Sequence, residues 1–344
     1  MPERPRRLAL ALALTALAAA SALARQPASP AGWTCREATR FSMGSAATIR
    51  ACGPDAAALA DAVSAGLDEV DRLDALLSHY RDDTPLSRLN REAARGPIAV
   101  EPELADLLAV CLRWSRDSDG AFDATVGPLM KAWGFFRGEG RLPDAAELEA
   151  ARALVGYRHV AVDRARHTVA FDRPGVELDL GGIGKGYAAD RVAGLLRRRG
   201  VASALVSLGG SSVYGLGAPP GATGWDVSIA DPTAPERGAV SVSLRDQALS
   251  IAGGYERFFV KDGVTYAHIM DPRTGRPVQD VLSVAVVSES ATDGDALDDV
   301  LFVQGLERAR AFVARLPRTP ETRVYFFLPA AGGSYRLERF RSGS

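Results

Sequence analysis

Between Trp225 and Val287 the chain reads as a run of short strands: Trp225–Ile229, Val240–Leu244, Ala248–Ile251, Phe258–Val260, Thr265–Ile269 and Leu282–Val287. They are rich in β-branched and aromatic residues and are separated by Gly, Pro and Asp. The clear helical patterns lie elsewhere. From Pro54 to His79, Leu59, Val63, Leu67, Val70, Leu73 and Leu77 recur at three- and four-residue steps, with Asp55 placed to cap the helix. Leu104, Leu107, Leu108, Cys111 and Leu112 repeat that pattern over Glu101–Ser115. A parallel α/β sheet needs strands and helices in regular alternation, and this order lacks it. The expectation is an α+β fold forming one large catalytic unit.

Further elements follow from the same reading. Phe41–Ile49 looks like a first strand with a glycine break, and Tyr80–Asn90 like a polar loop. Val176–Leu180 reads as a strand, Tyr187–Arg199 as a helix and Ala204–Leu208 as a strand. Helices are expected around Ala296–Gln304 and Leu306–Leu316, and a last strand at Arg323–Leu328. The net charge of −1 comes with no basic stripe, which argues against nucleic acid as a partner.

The N-terminus reads as a secretory signal peptide over residues 1–24. Arg4, Arg6 and Arg7 are followed by the apolar run Leu8–Ala20 and the small-x-small site Ala22–Leu23–Ala24. Residues 25–35 read as a linker, and 36–344 as the folded unit. Gly32–Trp33–Thr34 before Cys35 does not make a lipobox, so no lipid anchor is expected. With a bacterial origin assumed from the Ala/Arg-rich style, the destination is the periplasm, as a soluble mature protein without a stable membrane span. Cys35 and Cys52 can pair in an oxidising compartment and leave Cys111 free; equally, all three cysteines read as small buried hydrophobes.

Three segments carry chemistry. Tyr266–Pro277 reads as a strand running into a tight turn, with Asp271 accepting from N–H groups just ahead, Pro272 presetting φ and Gly275 releasing the chain. This puts His268 and Asp271 near a strand end. Glu177–Asp190 joins a strand to a helix through Gly181–Gly182–Ile183–Gly184–Lys185–Gly186. A dinucleotide fingerprint is rejected, because the next strand ends in Ser207–Leu208–Gly209 with no acid for a ribose. A P-loop is rejected as well, because Gly186 follows Lys185 where Ser or Thr is needed. What remains is a glycine turn able to approach phosphate at a helix N-terminus, with Asp179 beside it for a base, a ribose or a cation. Finally, Asp293, Asp295, Asp298 and Asp299 crowd one helix start, with Asp295 and Asp299 sharing a face. Capping explains one or two such acids; a stacked pair suits Mg²⁺, which is held by one or two carboxylates plus phosphate oxygens.

In this order the segments resemble the FAD:protein FMN transferase family, also called ApbE or the thiamine-biosynthesis lipoprotein family. The resemblance runs from about residue 40 to the C-terminus. It covers Met43–Gly44–Ser45, Leu77–Asp83, Leu86–Asn90, Asp119–Leu129, Asp179–Tyr187, Ser207–Gly210 and His268–Gly275. It implies that FAD binds with Mg²⁺ and that a Thr or Ser hydroxyl of an exported redox protein attacks the phosphorus on the riboflavin side, releasing AMP. It further implies that Asp295, Asp299 and the carbonyl of Gly182 hold the metal. Met43, Tyr80, Ala121, Phe122, Asp123, Asp179, Lys185 and Met270 match the family's FAD-contacting positions. His268 is the candidate for proton handling or phosphate contact, and Asp295 is placed with it at the chemistry. The chain departs from the family where Asp299 replaces a usual Thr, and where Ile251–Ala252–Gly253 replaces Thr-Ser-Gly before Tyr255. Two other readings accompany the transferase: Mg²⁺-dependent FAD hydrolysis to FMN and AMP, and a non-catalytic periplasmic flavin-binding protein.

Overall fold

The computed structural model describes residues 32–136, 138 and 140–343. The expected signal peptide, residues 1–24, lies outside the described residues. Strand β1 (Thr34–Ser42) begins within the stretch read as linker.

The core is one sheet of eight strands: β1, β2 (Ser45–Gly53), β3 (Ser203–Leu208), β4 (Ser212–Leu216), β5 (Gln247–Gly253), β6 (Ser283–Ser288), β7 (Arg323–Pro329) and β8 (Tyr335–Arg341). Their order across the sheet is their order in the chain, and every neighbouring pair is antiparallel. The helices are α1 (Ala56–Leu77), α2 (Pro85–Glu92), α3 (Pro102–Asp117), α4 (Gly127–Ala132), α5 (Ala145–Arg152), α6 (Gly184–Arg198), α7 (Ala291–Gln304) and α8 (Leu306–Ala314). The α+β reading holds.

Side chains alternate across the sheet, because successive residues of a strand point to opposite faces. On β5, Ala248 and Ala252 join the core beneath the helices, with Leu67, Val70 and Leu73 of α1, Val192 and Leu196 of α6, and Leu297 and Leu301 of α7. Leu249 and Ile251 face the other way. There they pack with Val213, Val287 and Phe327 under a hairpin of strands Trp225–Asp231 and Ala234–Leu244, which supplies Ile229, Val242 and Leu244. The middle of the sheet is thus buried on both faces, which is why β5 and β6 are almost wholly buried.

Several expectations are corrected. Phe41–Ile49 is no single strand with a break: the chain reverses at Met43 and Gly44, both at positive φ (51° and 72°), and β1 pairs back on β2. Two such residues in sequence form the tight turn whose twist suits an antiparallel hairpin. Tyr80–Asn90 is not all loop, since Thr84 caps α2 by accepting from the Ser87 N–H at 3.1 Å and Pro85 opens the helix. Val176–Leu180 is outside any ladder. The Asn90 side chain takes a neighbouring strand's place there, donating to Leu178 O at 2.9 Å and accepting from Leu178 N–H at 2.8 Å. Strands β4 and β8 were not foreseen. The Asp55 cap is as expected, accepting from the Ala57 and Ala58 N–H groups at 2.9 and 3.0 Å.

Cys35 and Cys52 face each other across β1 and β2 and form a disulfide, while Cys111 is buried and free. Among the described residues no helix is long and apolar enough to cross a membrane.

Candidate active site

A cavity of about 1220 Å³ opens at the ends of β3, β4 and β5, between the glycine turn before α6 and the start of α7. Its wall contains the residues assigned from the sequence to FAD, the metal and the chemistry: Met43, Tyr80, Ala121, Phe122, Asp123, Asp179, Gly182, Lys185, His268, Met270, Asp295 and Asp299. Residues separated by more than 250 positions therefore meet at one place.

The floor is the crossing of two helix N-termini. The first backbone N–H groups of a helix lack intrahelical partners, and Ile183 at the start of α6 supplies no capping side chain. Asp295 of α7 fills that role: Oδ2 accepts from the Gly186 N–H, and Oδ1 accepts from Ser212 Oγ at 2.7 Å. The approach requires glycine. A Cβ on Gly186 would collide with the Ala291 carbonyl and lie 2.8 Å from Asp295 Cγ. Gly182, one turn earlier, has the Asp299 carboxylate directly against it.

The acids at the start of α7 divide by role. Asp293 is structural, accepting from Arg113 and, at 2.7 Å, from Trp114 Nε1. Asp295, Asp298 and Asp299 line the cavity instead. Burial, and next the adjacent Asp295 carboxylate, push Asp299 up to about 8. Asp298 is held well above the usual carboxylate range by burial and then by Asp299, and burial raises Asp295 too. Each of these shifts disfavours the charged carboxylate where no counter-charge is present. Among the described residues no group of three or more His, Cys, Asp or Glu is arranged to hold a metal alone. Two carboxylates and the Gly182 carbonyl suit Mg²⁺ only if phosphate and water complete its shell, which is how that ion is commonly held. Lys185 stands on the same wall, where its Nζ donates to Ser211 Oγ.

The other positions are placed as follows. Asp179 Oδ1 accepts from the Gly181 N–H at 2.8 Å, and Oδ2 lies 3.3 Å from His79 Nε2. His79 was not singled out from the sequence, yet it is buried and its ring lies 4.1 Å from that of Tyr80. It stands in the Leu77–Asp83 segment of the resemblance, but its pairing with Asp179, 100 residues away, cannot be read locally. Asp123 is chiefly a staple: Oδ1 accepts from the Thr125 N–H and hydroxyl at 2.9 and 2.7 Å, and Oδ2 from the Tyr157 N–H at 2.6 Å. Tyr80 stacks on Phe136 with ring centroids 5.2 Å apart. Met270 packs with Met130, Trp133 and Phe135.

The strand expected at Thr265–Ile269 ends at Ala267. His268 follows it, its Nδ1 3.2 Å from the Arg257 carbonyl. Burial, and next the Arg257 guanidinium, lower its pKa to about 4, so the imidazole is neutral at pH 7. Asp271 does not join it in the cavity wall. It accepts from the Arg273 N–H at 2.9 Å and from the Arg273 guanidinium at 2.9 and 3.0 Å, and it sets the turn closed by Gly275. Ile251 and Ala252 also reach the wall, while most of each side chain is spent in the two apolar cores.

Helix N-termini, a glycine turn, a lysine and buried acids thus share one wall, groups of the kind that can face phosphate. The chain belongs to the ApbE family, whose model matches residues 43–326. It is 36% identical over 280 residues, 79% of each chain, to the FAD:protein FMN transferase of Salmonella typhimurium. It is 37% identical over 274 residues to that of Treponema pallidum, covering 74% of this chain and 75% of the relative. Its fold is similar to the crystal structure of the ApbE protein of Thermotoga maritima, with TM-score 0.79, 30% identity, and 89% and 97% of the two chains covered. It is similar also to the flavinyl transferase ApbE of Pseudomonas stutzeri in its apo form, with TM-score 0.78, 30% identity, and 89% and 95% covered.

Proposed function

We propose that the chain is an FAD:protein FMN transferase, moving FMN from FAD to a Thr or Ser of an exported redox protein and releasing AMP. The observation that carries this is the convergence of Gly182, Lys185, Asp295 and Asp299 on one wall of a dinucleotide-sized cavity. Phosphoryl transfer needs charge neutralisation and positioning more than covalent help. The glycine turn offers backbone N–H groups to the phosphates, and Lys185 brings a positive charge. Asp295, Asp299 and the Gly182 carbonyl would hold Mg²⁺, which when bound neutralises the pyrophosphate and stabilises the charge that develops on it. Neutral His268 is suited to accept the proton of the attacking hydroxyl. The Cys35–Cys52 disulfide supports export to an oxidising compartment such as the periplasm.

The test is incubation with FAD, Mg²⁺ and a target bearing the acceptor Thr. The expected result is covalent flavin fluorescence on the target together with AMP. AMP without labelling would mean FAD hydrolysis, and neither product a flavin-binding protein only.

A pH prediction follows from His268. The ratio kcat/KM reports the free enzyme, in which the pKa of His268 is lowered from 6.5 to about 4. A lowered pKa keeps the neutral base available as the pH falls, and it is lost only near pH 4. The profile should therefore show no ionisation near 6.5 that belongs to this residue. An ionisation near 6.5 that disappears in His268→Asn would contradict the assignment.

A further inference from the structure

The capping between α6 and α7 runs in both directions. Asp295 of α7 accepts from the Gly186 N–H in the first turn of α6. In return, Asp190 of α6 reaches the start of α7. Its Oδ1 accepts from the Ala291 N–H at 2.9 Å. Its Oδ2 accepts from the Thr292 N–H at 2.9 Å, the Thr292 hydroxyl at 2.6 Å and the Ser290 hydroxyl at 3.0 Å. Ser290 then caps the Asp293 N–H at 3.1 Å. Three of the four unpaired donors of α7 are thus satisfied, two of them by a carboxylate from another helix. A negative charge there also meets the positive end of the α7 dipole.

Asp190 does not line the cavity. Asp295 lies one helical turn beyond the residues that Asp190 holds, so the α7 backbone is what joins the two. Groups that orient a ligand residue from behind are commonly worth a large factor in metal affinity. We infer that Asp190 is a positioning residue for the cation and pyrophosphate site: it locks the first turn of α7 against α6, so that Asp295 presents its carboxylate to the bound ion. This rests on the reading of Asp295 as part of that site.

The test uses Mn²⁺ as the probe, its binding to the protein with FAD followed by electron paramagnetic resonance well below the melting temperature. Asp190→Ala should weaken Mn²⁺ binding about tenfold or more. Asp190→Asn keeps one good acceptor and should fall between it and the wild type. Asp55→Ala removes a cap from α1, far along the fold, and serves as the stability control: it should lower the melting temperature and leave Mn²⁺ binding unchanged. Asp190 variants that melt earlier but bind Mn²⁺ like the wild type would overturn the inference. If Asp190→Ala does not fold, Asp190→Asn and Thr292→Val decide it in the same way. A wild type that binds FAD but no Mn²⁺ would overturn the metal-dependent reading itself, and the inference with it.

Discussion

Asp295→Asn should lower FMN transfer by about two orders of magnitude or more, the scale on which losing one electrostatic contact at the reacting centre is felt, while leaving the fold intact. The two consequences have separate causes. An amide has the carboxylate's shape, so its oxygen can still accept from the Gly186 N–H, and its NH₂ can donate to Ser212 Oγ, which can also accept. What disappears is the charge. Asp295 is among the groups that push both Asp298 and Asp299 upward, so neutralising it relieves repulsion between buried like charges. The melting temperature should stay level or rise as activity collapses. Measuring FMN transfer and thermal melting on the same preparation decides the matter. A variant that melts early and still transfers FMN would make Asp295 a structural cap and nothing more.

This division between shape and charge also bears on what the sequence could disclose. The acids of α7 were visible as a cluster, and their i,i+4 spacing separated Asp295 and Asp299 as one face. That Asp293 points away from the cavity could not be read, because its partners Arg113 and Trp114 lie on α3, about 180 residues earlier. Local patterns were reliable where local forces decide: the heptad-like repeat and Asp55 cap of α1 emerged nearly to the residue. They failed where tertiary contacts decide. Val176–Leu180 has strand composition, yet its backbone is satisfied by the side chain of Asn90 and, at Asp179, by the Ala124 carbonyl at 2.7 Å. Asp123 is named from the resemblance as a FAD-contacting position, and it lines the cavity. Its carboxylate is largely committed to Thr125 and Tyr157. The resemblance brought the site residues to one list; the folded sheet explains why they share one wall.

Gly186→Ala should be a severely damaging single-methyl change. Most helical glycines are improved by alanine, which lowers the entropy of the unfolded chain by roughly 0.4–1 kcal/mol. Gly194, on the same helix, is such a case: a Cβ there would meet only the flexible end of Arg198, at 3.4 Å. At Gly186 the methyl would run into the backbone carbonyl of Ala291 and the Asp295 carboxyl carbon. Neither can swing aside, so α6 and α7 must separate. Overpacking of this kind costs about 1–3 kcal/mol. Separation also strains the contacts that join the helices, Asp295 to Gly186 and Asp190 to the start of α7, and a buried polar group left unpaired adds about 1–3 kcal/mol. The expected loss is therefore about 3 kcal/mol or more, with FMN transfer falling alongside it because the same displacement moves Asp295. Denaturant melts of Gly186→Ala and Gly194→Ala make the comparison. Equal stability for the two would show that the helix crossing is looser than its geometry implies, and that the floor of the cavity can yield to its ligand.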